Sequence, residues 1–205
     1  MHANRPFLKI IRIRDAIFIK WWRIAGAFFF KLIGVKGTGR VVFYGLPIVS
    51  IYEGSSIEIG EDVVLCSDSR FTALGVSKPV ILRTLRPNAM IYIGKNTGIS
   101  GVVICAAIKV EIGADCLIGA DVQIMDTDFH KIDPVGRRND SKHANIAAAP
   151  IVIGNNVFIG AGARVLKGVS IGENCVIGAG SLVLHDIPAN SIAAGIPAVV
   201  IKKIR

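Results

Sequence analysis

The chain has 205 residues, of which 52% are hydrophobic and 19% charged, and its mean hydropathy is +0.55. These values exclude a disordered polymer and allow one well-buried core, while the 22 glycines and 8 prolines follow no collagen-like period. The formal charge of +9 raises nucleic acid or an anionic membrane as partners, but residues 1–40 hold nine basic residues and one acid, Asp15, leaving 15 basic against 14 acidic residues in the rest.

Residues 1–40 form the first unit, a basic amphipathic helical segment. From Phe7 to Ile33 the sequence is apolar but interrupted by charge. The longest uncharged apolar run, Ile24 to Phe30, is far short of the roughly 18 residues a spanning helix needs. Charges run through the apolar stretch and no A-x-A-like cleavage site follows, so a secretory signal fits poorly. At helical spacing Arg5, Lys9, Arg12, Lys20, Arg23 and Lys31 fall in a stripe roughly 100° wide, with Arg14 and Asp15 off it. The remainder is Ile, Leu, Trp21, Trp22 and the Phe28–Phe30 run. Two readings stand side by side: contact with an anionic membrane, at the inner face of the cytoplasmic membrane, or a cap over the open end of the core. The cap is preferred, because repeat folds require caps.

Residues 41–205 form the second unit, and their repeats define the fold. An aliphatic residue recurs every six positions at Ile153, Ile159, Val165, Ile171, Ile177 and Val183. Small or β-branched residues follow four places later, at Val157, Ala163, Val169, Cys175, Ser181 and Ile187. The next residues, Gly154, Gly160, Leu166, Gly172, Gly178 and Leu184, repeat as Gly-Gly-Leu with period eighteen. Ile112, Ile118 and Ile124 carry the same pattern, and Ile93, Ile99 and Cys105, with Ile59, Leu65 and Phe71 before them, continue it less strictly. The period predicts an all-β fold, a parallel β-helix of triangular section in which three hexapeptides make one coil. The aliphatic residues point inward, the small ones fill corners and the glycines relieve backbone strain at turns. Cys105, Cys116 and Cys175 fall at inward sites and only Cys66 outside them. With no zinc-like spacing, the four thiols are expected to be reduced and structural, in a cytoplasmic protein.

Function is sought where the period fails. One break, Leu74 to Met90, is a basic loop near 74–90. The other spans Met125 to Pro150, with a loop near 129–150, and begins Asp126-Thr127-Asp128-Phe129-His130. It becomes polar through Arg137, Arg138, Asp140 and His143. A neutral imidazole accepts a proton near pH 7 and a carboxylate can orient it. In extended geometry Asp126, Asp128 and His130 would share a face. An EF-hand reading fails, because no glycine follows the third ligand position.

Asp126–His130, Ile151–Gly160 and the closing run Ile177–Ala198 resemble the hexapeptide-repeat acyltransferases, in the branch that O-acetylates sugars of capsule, O-antigen and related polysaccharides. The resemblance covers roughly residues 57–205. It implies a left-handed β-helix, a homotrimer with active sites between neighbouring prisms, a sugar or glycan acceptor, acetyl-CoA as co-substrate and no metal. It assigns His130 as general base, with Asp128 and then Asp126 to orient it, and direct transfer without an acyl-enzyme. The coenzyme would lie along Ala161, Gly162, Ala179 and Gly180, with His185 and the basic C-terminal residue Lys202 as further contacts. Phe158 stands where the family often has Trp, Leu184-His185 where it often has Thr-Lys, and Val199 where it often has Lys or Arg. These departures fall on the coenzyme contacts rather than on the chemistry.

Other readings are open to test. Prism-shaped zinc carbonic anhydrases need three His ligands, and His2, His130, His143 and His185 do not recur at coil spacing. A non-catalytic hexapeptide scaffold would need neither His130 nor an extruded polar loop. Nucleic-acid binding rests on charge alone, without a recognition helix or base-stacking platform. Transfer to an amino sugar is the alternative acetylation chemistry.

Overall fold

The computed structural model describes residues 6–37, 39–139 and 146–204, without the side chains of residues 6–10 and Arg12. His2, Arg5, Asp140 and His143, and the side chains of Lys9 and Arg12, therefore lie outside the described residues.

Three sheets of six, eight and six strands wind as a left-handed β-helix, and every strand but the last pairs parallel with its counterpart one coil away. The inward side chains stack in three columns. Ile59, Ile93, Ile112, Ile153 and Ile171 line the first sheet. Phe43, Leu65, Ile99, Ile118, Ile159, Ile177 and Ala193 line the second. Val49, Leu82, Ile104, Ile124, Val165 and Val183 line the third. Nearly all are fully buried, each contributing about 1.5–3 kcal/mol of apolar burial.

Two positions differ from the six-residue reading. Leu82, not Phe71, fills the third column, and Phe71 closes a 3-10 turn (Ser69–Phe71) and packs on Tyr44 at 4.9 Å between ring centroids. Ile104, not Cys105, stacks under Ile124, because the pairing places Cys105 opposite Met125. The first break is also displaced. Ile81–Thr84 is a regular strand paired with Val103–Ala106, so the irregular stretch lies before it and not across Leu74–Met90.

The corner glycines act differently from the expectation. A Cβ on Gly94, Gly154, Gly160 or Gly172 would sit 2.4–2.7 Å from backbone of the next coil, and none of the four has positive φ. They permit close approach of coils. The left-handed backbone lies two residues after a corner glycine at Asp62, Asn96, Asp115, Asn156 and Asn174, and at Asn190 after Pro188, with φ between 54° and 60°. Short polar side chains tolerate that region and here also join coils: Asn156 donates to Asn174 and Asn174 to Asn190, both at 2.9 Å.

The helix Pro6–Ile33 closes the N-terminal end of the prism. Phe30 meets Phe43 edge-on at 4.9 Å, and Gly26 is required because a Cβ there would fall 2.5 Å from the Phe43 ring. Trp22, Phe29 and Ile33 pack against the same core. Gly34 (φ 79°) ends the helix, and the Val35 N–H returns to the Phe30 carbonyl at 3.0 Å, a Schellman-type stop. At the other end, Ser191–Gly195 and Ala198–Lys203 form an antiparallel pair at the edge of the second sheet.

Candidate functional site

The extruded loop leaves the edge between the third and first sheets. Its neck is a short antiparallel ladder. Thr127 bridges Ala148, the Asp128 N–H donates to the Ala147 carbonyl at 3.1 Å, and the Ala149 N–H donates to the Asp126 carbonyl at 2.9 Å. Arg86, from the coil above, donates to the Ile146 carbonyl at 2.9 Å and braces the returning strand.

The two aspartates do different work. Asp126 is fully buried. One oxygen accepts the Ala107 N–H at 2.6 Å, and the other accepts those of Ile108 and Lys109 at 2.7 and 2.8 Å. Burial pushes its carboxyl above the usual carboxylate range, while the three amides and the Arg86 charge pull it back. Asp126 is therefore a fastener between coils, with both oxygens engaged by main-chain amides, and no hydrogen bond joins it to His130 among the described residues. Asp128 accepts the Lys167 ammonium at 2.6 Å on one oxygen, and its other oxygen is buried without a partner. Phe129 has φ 60°, so the chain turns there and the extended alternation of three side chains on one face is broken. His130 lies just beyond, exposed, and among the described residues no hydrogen bond joins it to Asp128.

Lys167 was not singled out in the sequence. The 18-residue period is interrupted by the insertion, but pairing of Met125 with Leu166 sets Lys167 beneath Asp126–Asp128. A lysine following an aliphatic corner residue, in the first coil after the insertion, was the available signal.

The proposed coenzyme positions lie on a different edge, between the second and third sheets. Gly162 and Gly180 have φ of 70° and 68°, and a Cβ on either would meet nothing within 4 Å. The Gly162 N–H donates to Ala120 and that of Gly180 to Ala161, both at 2.8 Å, so the two turns stack with neither glycine placing a side chain over the edge. Ala161 and Ala179 flank them. His185 does not join this group: it is exposed on the His130 edge, beside Asp186, whose carboxylate caps the Ser170 N–H at 2.7 Å. Lys202 is exposed on the final antiparallel strand opposite Ile192, while its neighbour Lys203 binds Ser191 Oγ at 2.9 Å. Phe158, Leu184 and Val199 are all exposed. One chain thus holds the two halves of the expected site on separate edges, with the third sheet between them. Among the described residues no group of three or more His, Cys, Asp or Glu could hold a metal ion.

Two family models match the chain: bacterial transferase hexapeptide (six repeats) over residues 150–185 and hexapeptide repeat of succinyl-transferase over residues 109–124. WbbJ of Escherichia coli K12, whose name assigns it provisionally to O-acetyl transfer in lipopolysaccharide biosynthesis, is 32% identical over 158 residues, 75% of this chain and 74% of its own. Among solved structures, a galactoside acetyltransferase in complex with coenzyme A is 40% identical over 56% of either chain, with a TM-score of 0.52. A maltose O-acetyltransferase from Clostridium difficile 630 is 25% identical, covering 99% of this chain and 91% of its own, with a TM-score of 0.53. Against several other curated relatives the chain spans only a quarter to a little over half of their length.

Proposed function

The chain belongs to the hexapeptide-repeat acetyltransferases, and on that premise we propose that it moves an acetyl group from acetyl-CoA to a sugar hydroxyl of a surface polysaccharide or its precursor. The observation that carries this reading is the placement of His130, exposed directly after a neck that Asp126 fastens to one coil and Lys167–Asp128 to the next. His130 would take the hydroxyl proton as the sugar oxygen attacks the thioester carbonyl. The C–O bond forms, the C–S bond breaks, and the proton passes to the departing coenzyme thiolate. Direct transfer is supported by the thiols. All four cysteines are free and buried, and burial pushes those of Cys66, Cys105 and Cys116 up, away from the thiolate a nucleophile needs.

The separation of the two edges favours a site built between copies, as a homotrimer, with His130 from one prism facing Gly162 and Gly180 of the next. The acceptor would be met in the cytoplasm or at the inner face of the cytoplasmic membrane. The test is thiol release from acetyl-CoA with a panel of sugars. His130→Ala is expected to lose about 10²–10⁴-fold. Equal release by both proteins overturns the base assignment, release with amino sugars alone replaces O- by N-transfer, and no release with any acceptor returns the chain to a scaffold role.

A further inference from the structure

Six large apolar side chains on the N-terminal helix, Ile13, Ile17, Trp21, Ile24, Phe28 and Leu32, are each 54–72% exposed. They are spaced four, four, three, four and four residues apart, so they form one continuous stripe along the helix. This stripe is not the face that closes the prism. Trp22, Gly26, Phe29, Phe30 and Ile33 do that from the opposite side. Lys20, Arg23 and Lys31 are exposed and run along one border of the stripe, and Arg14, paired with Asp15 at 2.8 Å, stands at the other.

We propose that the stripe inserts into the interfacial region of an anionic phospholipid bilayer, with the helix lying in the membrane plane. The arrangement is apolar at the centre and cationic at the border, as that environment demands. Trp21 is held against Trp22 at 4.5 Å between ring centroids, and an indole ring suits the headgroup level. No helix among the described residues is long and apolar enough to cross a membrane. A second copy is the weaker occupant. It would bring two rows of Lys20, Arg23 and Lys31 together, and the helix's one acid, Asp15, is already taken by Arg14. The helix is also braced, since the Arg70 guanidinium lies 4.9 Å over the Phe18 ring. Insertion would therefore fix the orientation of the whole prism and not tether it loosely.

The proposal stands apart from the acetyl-transfer reading, because it rests on the helix alone. The full chain is floated with vesicles of phosphatidylcholine, with and without phosphatidylglycerol. Binding is expected only to the anionic vesicles and weakens with added salt. Ile17→Glu with Phe28→Glu should lower partitioning by at least about a hundredfold. Lys20→Gln with Arg23→Gln and Lys31→Gln, at about fivefold per charge, should lower it by about a hundredfold on anionic vesicles alone. Melting curves like wild type establish that the variants fold. Should they not, the blue shift of tryptophan fluorescence on adding anionic vesicles, read in a Trp22→Phe chain so that Trp21 is the one indole, reports insertion of the stripe. No flotation and no shift, or equal binding to neutral vesicles, overturns the proposal. So does lipid-free self-association that the Glu variant abolishes, which would make the stripe a contact between copies.

Discussion

Replacing Asp126 by Ala separates a structural aspartate from a chemical one. The carboxylate accepts three main-chain N–H groups from Ala107, Ile108 and Lys109, and no water reaches it. An amide left without an acceptor costs about 1–3 kcal/mol, most at buried Ala107 and less at part-buried Ile108 and Lys109. Three such losses are partly offset, because a desolvated carboxylate is also removed. The net expectation is about 3–5 kcal/mol, and at roughly 2–4 °C per kcal/mol for this chain length the melting midpoint should fall by about 6–20 °C. Asp128→Ala removes an ion pair whose partners are 24% and 33% exposed, so its stability should change by no more than about 1 kcal/mol. Thermal unfolding of the two variants in parallel reads the contrast, and hydrogen exchange at the amides of residues 107–109 localises it. If Asp126→Ala melts with the wild type while Asp128→Ala collapses, the assignment of roles is reversed.

Gly160→Ala forces a Cβ to within 2.5 Å of the Ala179 nitrogen and should cost about 3 kcal/mol in denaturant unfolding. Gly162→Ala meets open space and carries only the strain of φ 70°, about 1–2 kcal/mol; equal costs would refute the distinction between coil contact and turn geometry. Lys167→Met should leave the melting curve within about 1 kcal/mol of wild type yet lower thiol release about tenfold, because it frees Asp128 beneath the His130 loop; rescue by Lys167→Arg would tie the effect to the cation. The four buried thiols should react with a thiol-specific reagent only after denaturation, and rapid labelling of the native protein would contradict their placement.

The inward columns were legible because stacking demands an aliphatic residue at each turn of the chain, so Ile153 to Val183 carry the period without a break. Phe71 and Cys105 misled for one reason. Extra or missing residues between hexapeptides shift the strand register, and pairing rather than count decides which side chain enters. The Gly-Gly-Leu rhythm identified the corners but not the purpose of the glycines. That needed the distance to the next coil, and the clue to the left-handed position was the Asn or Asp two residues on. Asp126 read as catalytic because it alternates with His130. Its true partners lie about one coil earlier, at Ala107–Lys109, where main-chain amides leave no trace in the sequence.

The division of candidate residues between two edges has a consequence that assembly can test. His130 and Asp128 project from the edge between the third and first sheets, and Gly162 and Gly180 from that between the second and third. Because the coils are locked by ladder pairing, no local motion brings them together within one chain. A His130→Ala chain retains a bare second edge, and a Gly162→Glu chain retains its imidazole but blocks that edge. Each alone should be inactive. Co-assembled at random in a cyclic trimer, about a quarter of the interfaces would join an intact histidine to an intact glycine edge, restoring about a quarter of wild-type thiol release. A site confined to one prism predicts no restoration at all, since every chain then carries its own defect.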